Sequence, residues 1–312
     1  MTNSPSQTLR LNSASQQQDQ APDATWHRMG VADPKAGSRL RTEIGLDDLV
    51  VTALLAEETR PRCTPHGEGA LINLRGVNSQ HGAEPEDMVS VRLWLDHEKV
   101  VTCQFRELAA VGQMAEWIEG GVGPGTPGDF VVALADKLTE GMESVVDALD
   151  TELDDLEEEQ AQDRVHELRE TIADMRRTIV RLRRFIAPQR DALDVLIAET
   201  FVWQTEVQER RLKEIVDRIT RLVEQLDTMH HRAAILQDFI AVRVAERLNS
   251  TMVLLSIVAG VFLPLSFVTG LLGMNVAGIP MATSQSAFLV ISGVLVVIGV
   301  VTFLALWKLR SQ

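Results

Sequence analysis

Charge is missing from one long segment of this 312-residue chain. No Asp, Glu, Lys, Arg or His occurs in the sixty residues from Leu248 to Trp307. About 20 apolar residues already cross the hydrocarbon core of a bilayer, so this length excludes a single membrane helix and suffices for two. Apolar density predicts spans at residues 251–275 and 287–307, joined by a loop at 276–286 that contains Gly, Pro, Ser and Thr.

Basic residues are also missing from the predicted loop, and they flank the two spans instead: Arg243, Arg247, Lys308 and Arg310. Basic residues close to span ends remain on the cytoplasmic side. The sequence therefore predicts that both termini are cytoplasmic, with residues 308–312 as a short C-terminus and the loop outside.

Cysteine is scarce, since only Cys63 and Cys103 occur. Two cysteines this far apart exclude a disulfide framework and suit a reducing compartment. Residues 1–24 have no apolar core and are rich in Ser and Gln. They predict a disordered tail and no signal peptide.

The formal net charge of −14 disfavours nucleic acid as a partner and favours the attraction of cations. No Gly-rich segment follows a predicted strand as nucleotide binding would require, and no Ser-His-Asp or Cys-His pattern indicates an active site. The sequence therefore predicts neither an enzyme nor a bound cofactor.

Residues 25–128 have the pattern of an α/β domain. Apolar residues alternate along Met88–Leu95, and a turn leads into Val100–Phe105, which predicts a β-hairpin. Gly69–Asn78 is a predicted neighbouring strand. The stretch Gly120–Gly128, rich in Gly and Pro, is typical of a linker.

Residues 129–190 predict a charged helical hairpin. Glu140–Glu159 carries ten acidic residues and no basic ones, whereas Arg164–Arg190 carries eight arginines. Two interpretations remain open: the opposite charges pair with each other, or the acidic surface gathers divalent cations at subunit contacts.

Residues 191–250 predict a long stalk helix that continues into the first span, because nothing stops a helix between Pro188 and Pro264. Two apolar rows recur every seven residues and indicate a heptad seam. The rows are Leu212, Ile219, Leu226, Ala233 and Ile240, and Ile215, Leu222, Met229 and Leu236. A helix from about residue 190 to 273 cannot bury this seam alone, so we expect neighbouring helices from its own domain and from other subunits.

A stripe of small and polar residues continues along this helix through the membrane. Its members are spaced by three or four residues and share one face: Asn249, Met252, Ser256, Ala259, Leu263, Ser266, Gly270 and Gly273. This set, the polar stripe, is typical either of helix packing or of a pore lining. Asn and Ser at membrane depth favour the pore.

Asp238 lies about three helical turns before Asn249 on the same face. In a symmetric oligomer its copies would form a ring of carboxylates that attracts cations to the cytoplasmic mouth of the pore. The span itself offers no carboxylate, imidazole or thiolate. A divalent ion should therefore cross largely hydrated, since so few ligands cannot replace its water.

The tripeptide Gly273-Met274-Asn275, at the outer end of the first span, resembles the signature of CorA-type divalent-cation transporters. Further segments resemble the zinc-transporting ZntB branch of that superfamily: Arg60–Arg62, Leu74–Asn78, Pro85–Ser90, Ala187–Arg190 and Val276–Pro280. The resemblance runs from about Trp26 to the end of the chain. It implies an α+β membrane protein, a funnel-shaped homopentamer with a cytoplasmic αβα domain and a first span that lines the pore. It also implies that Asn275 forms the outer selectivity ring.

Three stalk residues are candidate zinc ligands. Asp227 and His231 are four residues apart and can share a helix face, and His230 adjoins them. The alternative is two solvated histidines on a polar helix surface. Cys63 and His66 also have a ligand-like spacing, for which the alternative is a buried Cys and an exposed His.

Together these features predict a transporter that imports Zn2+, or similar divalent cations, through an axial pore in a bacterial inner membrane. Its expected partners are the lipid bilayer, further copies of the chain and the transported ion. The alternatives are a magnesium or cobalt channel of CorA type and a non-conducting metal sensor or scaffold. The loop lacks the acidic residues usual in the magnesium-transporting branch, which weighs against magnesium.

Overall fold

The computed structural model describes residues 6–11, 24–57, 60–78, 82–84, 86–159, 165–274 and 286–310. It divides into two compact units, Met1–Gln237 and Asp238–Gln312. The strands are β1 (Gln7–Arg10), β2 (Thr25–Gly30), β3 (Arg62–His66), β4 (Gly69–Val77), β5 (Met88–Leu95) and β6 (Lys99–Gln104). The helices are α1 (Ala36–Thr42), α2 (Asp48–Leu54), α3 (Ala109–Glu119), α4 (Pro127–Glu159), α5 (Val165–Ala198), α6 (Glu206–Leu272) and α7 (Ala287–Arg310).

The strands of the first unit form one sheet in the order β1-β2-β6-β5-β4-β3. β2 and β6 run parallel, and the other neighbouring pairs are antiparallel. The predicted hairpin of β5 and β6 is confirmed, and so is the predicted neighbouring strand, because β4 pairs with β5 from Ala70–Leu95 to Val77–Met88.

Helices cover both faces of this sheet. On one face, α1 and α2 pack against Met29 and Trp94 in a cluster of buried residues. Side chains alternate between the two faces of a strand, so Trp26 of β2 lies on the face opposite to Met29. There its ring is 4.9 Å from the ring of Phe130 in α4. The αβα architecture predicted for this domain is confirmed.

The prediction of a disordered tail over residues 1–24 is wrong for Gln7–Arg10. These residues form β1, which pairs antiparallel with Thr25–Arg28 of β2. Leu11, directly after β1, is buried, and its N–H donates to the Ala24 carbonyl at 2.8 Å. Composition did not indicate this strand because its hydrogen bonds come from the open edge of β2, which is distant in sequence. Residues 12–23 lie outside the described residues.

The long helix begins later than predicted. α5 continues through Pro188, and α6 starts at Glu206 rather than near residue 190. A capping box marks this start: the Gln208 N–H donates to Thr205 Oγ1 at 3.4 Å, and the Thr205 N–H donates to Gln208 Oε1 at 3.0 Å. The spacing of Thr205 and Gln208 is the sequence signal that indicates the correct boundary.

α4 and α6 start together and run in the same direction. At their first turns, Gln208 Nε2 donates to Asp129 Oδ1 at 2.9 Å and to Thr126 Oγ1 at 3.2 Å. Ten residues further along α6, Arg218 donates to both carboxylate oxygens of Glu143, at 2.8 and 2.7 Å. Residues on α6 thus bind residues on α4 that lie about 80 positions earlier.

The acidic residues of α4 therefore pair with α6, and the open interpretation in which they pair with the arginines of α5 does not hold for the described residues. Arginines of α5 bind other carboxylates, as in Arg181–Glu86 at 2.8 Å and Arg190–Asp191 at 2.8 Å. The two charged blocks alone do not decide between neighbours. The seven-residue spacing of Arg218, Gln225 and Arg232 on α6 does, because it matches the spacing of Glu143, Asp150 and Glu157 on α4.

The heptad seam of α6 is buried as predicted. All nine residues of its two rows are at most 4% exposed. Helices of the same chain thus suffice to bury the seam.

The second unit contains the end of α6, from Asp238 to Leu272, and α7. Both helices have an 18-residue window apolar enough to cross a membrane, with mean hydropathy 2.3 in α6 and 2.8 in Phe288–Ala305. These windows lie where the sequence predicts the two spans. The predicted loop lies outside the described residues except for Ser286.

Candidate ion pathway

The apolar part of α6 has three faces that differ in burial and chemistry. One face is half-buried, and its members recur every three or four residues: Val253, Ile257, Val261, Leu265, Val268 and Leu272. The neighbour is α7, because a Cβ atom added at Gly299 would lie 3.6 Å from Leu265 Cδ1. We call this set the packing face. It went unnoticed in the sequence, although large apolar residues recur there at helical spacing.

The polar stripe lies on the opposite side of α6 from the packing face, because at about 100° per residue its members average about 170° around the helix from the packing residues. All its members are exposed within the chain. Met252 is 63% exposed and Leu263 is 75% exposed. Because α7 does not cover the polar stripe, packing within the hairpin is not the reason for its small residues.

Bulky apolar residues occupy the third face. Leu254, Val258 and Phe262 are all exposed, and each follows a residue of the polar stripe by two or three positions. At about 100° per residue they lie about 120° around the helix from the polar stripe, between it and the packing face. Large apolar side chains suit contact with lipid tails. α6 thus separates an apolar exposed face from a small and polar exposed face.

Pro264 interrupts the helical hydrogen bonding of α6 at the middle of the polar stripe. Proline has no N–H to donate to the carbonyl of Gly260, one turn earlier. An open cavity of about 630 Å³ adjoins this point and is lined by Leu263, Pro264, Ser266 and Phe267. The proline therefore makes one more oxygen available close to the polar stripe.

The signature tripeptide begins where α6 ends. Gly273 closes the helix, since its N–H donates to the Thr269 carbonyl at 2.9 Å, and Met274 is 51% exposed. Asn275 lies outside the described residues. Its assignment to an outer selectivity ring stays a prediction.

Asp238 begins the second unit with an exposed side chain. It lies on the same continuous helix as Asn249, so the helical spacing that places both on one face applies. Its assignment to the cytoplasmic mouth also stays a prediction.

The three candidate zinc ligands of the stalk do not form a common site. Both carboxylate oxygens of Asp227 accept hydrogen bonds from Arg183, at 2.5 and 3.1 Å, and this raises the pKa of Arg183. Nδ1 of His231 is 2.7 Å from the backbone oxygen of Asp227, whereas His230 lines a groove beside α5. Over the described ranges, no three His, Cys, Asp or Glu side chains gather as a metal site. The single chain thus does not bring Asp227, His230 and His231 together, and their role as zinc ligands stays a prediction.

Cys63 and His66 also point apart, because residues three positions apart in a strand lie on opposite faces. His66 Nε2 is 2.6 Å from Oδ2 of Asp47, whose Oδ1 accepts from the Val50 N–H at the start of α2. Burial raises the pKa of the Cys63 thiol to about 12, so it stays protonated at neutral pH. These residues stabilise the fold and do not form a ligand pair.

Comparisons with known proteins agree with this architecture. Residues 23–310 match the family described as CorA-like Mg2+ transporter protein. The divalent cation transporter CmaX of Pseudomonas aeruginosa is 39% identical over 283 residues, which cover 90% of this chain and 85% of that protein. The zinc transport protein ZntB of Yersinia pseudotuberculosis is 32% identical over 287 residues, 92% of this chain and 87% of that protein.

The fold is similar over the whole length as well. The structure of the full-length CmaX protein superimposes with a TM-score of 0.83 at 34% identity and covers 97% of each chain. The resemblance noted from the signature tripeptide and the ZntB-like segments is thereby confirmed. The chain belongs to the family of CorA-like Mg2+ transporter proteins.

Proposed function

We propose that this chain transports divalent cations through an axial pore lined by the polar stripe of α6. The exposure of the polar stripe carries the proposal, because α7 covers the packing face and leaves the small and polar face free. One helix encloses no channel, so the pore requires this face from several copies. The names of two relatives support divalent cations as the transported ions, since CmaX is described as a divalent cation transporter and ZntB as a zinc transport protein.

The proposed assembly is a homopentamer in a bacterial inner membrane. Five copies would bring Asn249, Ser256 and Ser266 to a common axis, with Asn275 at the outer end. These side chains supply amide and hydroxyl oxygens, which are too few to replace the water around a divalent ion. The ion therefore crosses largely hydrated, and it moves into the cytoplasm, where both termini lie.

Zn2+ is the proposed principal substrate. The ZntB relative covers 92% of this chain, and the predicted loop at residues 276–286 carries no acidic residue. Mg2+ is the competing substrate, because the matching family is described by that ion. A hairpin that only anchors a metal-binding domain is the competing role from another class.

Ion flux into proteoliposomes containing the purified full-length chain separates these functions. The proposal predicts uptake of radiolabelled Zn2+ that exceeds uptake of Mg2+ at equal concentration and equal membrane potential. Faster Mg2+ uptake would instead assign a magnesium transporter. Protein-free liposomes are the control, and liposomes with folded protein but no flux of either ion would refute transport.

A further inference from the structure

Two helices of the first unit carry opposite charge. Residues 140–159 of α4 contain ten acidic residues and no basic one, whereas residues 171–190 of α5 contain six arginines and one acidic residue, Asp174. Arg218 and Arg232 of α6 bring two positive charges to α4. Most of the acidic charge of α4 is therefore not balanced by these ion pairs.

The exposed side of α4 is acidic along much of its length. Four exposed carboxylates lie within about 80° of one another around this helix, at about 100° per residue. They are Glu140, Asp147, Asp155 and Glu158, and we call them the acidic face. Met142 and Val146, on the other side of α4, are buried in the domain. The acidic face is therefore open to solvent in the single chain.

A groove of about 400 Å³ between α5 and α6 is lined by basic residues, and we call it the basic groove. Its lining includes Arg176, Arg177, Val180, Arg181 and His230. As far as the structure describes this lining, it contains no carboxylate. Carboxylates next to the groove offset two of the charges, since Asp174 pairs with Arg177 and Glu86 with Arg181. The charge of Arg176 remains, because its hydrogen-bond partner is the uncharged Gln237.

The acidic face and the basic groove lie on different sides of one chain. α6 binds α4 through Gln225, which donates to Asp150 at 3.1 Å, and it binds α5 through Asp227, which accepts from Arg183 at 3.1 Å. Two positions along a helix are about 200° apart, so α4 and α5 lie on different sides of α6. No described residue of α4 lines the basic groove. The groove of a chain is therefore not filled by the acidic face of the same chain.

We propose that the basic groove of one copy binds the acidic face of the next copy of this chain. The inference rests on the proposed function, because a pore requires several copies around one axis. Two acidic faces repel each other, so the contact joins unlike surfaces, and head-to-tail contacts of this kind can close into a ring. Val180, which is 52% exposed, supplies an apolar contact among the charges of the groove.

Charge reversal in the purified full-length chain tests the contact, with the size of the assembly measured by mass photometry over a dilution series in detergent. Arg177→Glu reverses a charge of the groove, and Asp147→Arg reverses one of the acidic face. Each change should raise the concentration at which the assembly dissociates at least about tenfold, because like charges then meet. A chain with both changes should recover the assembly, since the charges are exchanged and not lost.

The matched control is Lys35→Glu, a charge reversal at an exposed position before α1, which should assemble like the parent. Circular dichroism checks that each variant is folded. Parent-like assembly of both single variants overturns the proposal, and so does a chain with both changes that stays dissociated. A purified parent that is monomeric overturns it as well and would assign the groove to another acidic partner.

Cross-linking shows directly which surfaces meet. In a Cys63→Ser, Cys103→Ala background, Val180→Cys marks the groove and Ala148→Cys marks α4 beside Asp147. A flexible bifunctional thiol reagent should join chains that carry both cysteines into covalent dimers and larger oligomers, and it should leave chains with either one as monomers.

Dimers from either single-cysteine chain, or no covalent oligomers from an assembled chain with both cysteines, contradict the head-to-tail contact. Zn2+ flux by the same chains tests the proposed function separately. Cross-linked copies without flux would refute transport and keep the contact, whereas flux without cross-linked copies would refute the contact alone.

Discussion

Arg232 of α6 and Glu157 of α4 are joined by two hydrogen bonds, Nε to Oε1 at 3.0 Å and Nη2 to Oε2 at 2.9 Å. Arg218 and Glu143 make the same bidentate pair fourteen residues earlier on both helices. Between them, Gln225 donates to Asp150 at 3.1 Å, again 75 residues apart. Polar contacts that recur every seven residues therefore fix the parallel register of α4 and α6. The buried apolar seam of α6 runs alongside them.

Replacing Arg232 should destabilise this register. Arg232→Gln leaves the carboxylates of Asp150, Asp154 and Glu157 close together without their shared cation. We expect a loss of about 1–2 kcal/mol in the free energy of unfolding, measured by chemical denaturation in detergent. Arg210→Gln is the control, because its pair with Glu206 is exposed and 4.0 Å long. An equal loss of unfolding free energy in Arg232→Gln and Arg210→Gln would contradict the proposal that Arg232 stabilises the pairing of α4 and α6.

Acid should weaken the pair of Arg218 and Glu143 in the same register. The hydrogen bond from Arg218 holds the pKa of Glu143 below its ordinary value of 4.5. A carboxyl whose folded-state pKa is lowered stabilises the fold above its unfolded pKa, and this contribution disappears as the pH falls through the folded pKa. The unfolding midpoint should therefore fall as the pH is lowered from 7 to below 4.5.

Arg218→Met should make this fall smaller, since Glu143 then titrates near its ordinary pKa in both states. Arg184→Met is the control, because the charge of Arg184 lies over the Phe185 ring. The control should keep the acid sensitivity of the parent. An unchanged pH dependence in Arg218→Met would contradict the assignment.

The periodicity of apolar residues correctly predicted helices and strands whose buried face can be recognised from their own sequence. The seam residues Leu212 to Ile240 are buried as their heptad spacing predicts, and the alternation along Met88–Leu95 predicts β5. The two spans follow from composition alone. In each case the local pattern and the final environment agree.

The sequence did not predict which residues from distant segments pair with each other. The acidic block of α4 has arginines to bind on α5 and on α6, and the charge of the blocks alone does not select α6; the matching seven-residue spacing on α4 and α6 does. Asp227 shows the same limit, because Arg183 of α5 takes the carboxylate that the sequence offers to a metal. The strand Gln7–Arg10 depends on the edge of β2 and has no signal of its own.

Removing the amide of Asn275 should strongly reduce Zn2+ uptake. Asn275 is the side chain with a strong oxygen ligand at the outer end of the polar stripe, so Asn275→Ala leaves the ion without its proposed outer contact. Thr283→Ala, a polar truncation in the same loop, is the matched control. Size-exclusion chromatography checks that both variants assemble like the parent. Zn2+ uptake at the parent rate by the assembled Asn275→Ala variant would contradict the assignment of Asn275 to an outer selectivity ring.

Charge at the cytoplasmic mouth should control the rate. Asp238→Asn should slow Zn2+ uptake most at low ionic strength, where the attraction of carboxylates for cations is least screened. Asp238→Lys should block uptake, because a ring of positive charges repels a divalent cation. Glu116→Lys makes the same change of charge on α3 and should leave uptake unchanged. Conduction by Asp238→Lys at the parent rate would show that Asp238 does not face the pore.

The pathway itself can be tested by blocking it chemically. The background is a Cys63→Ser, Cys103→Ala protein, so that an introduced cysteine is the target of a positively charged thiol reagent. Ser256→Cys lies on the polar stripe, and Val258→Cys lies on the bulky exposed face two residues later. Both variants should take up Zn2+ before treatment.

The decisive measurement is the rate of Zn2+ uptake into proteoliposomes by these two variants before and after the reagent. An axial pore lined by the polar stripe predicts that the reagent reduces uptake at least about tenfold in Ser256→Cys, because one attached cation repels the ion within a narrow pore, and leaves Val258→Cys unaffected. Block of Val258→Cys with continued uptake by modified Ser256→Cys would contradict it.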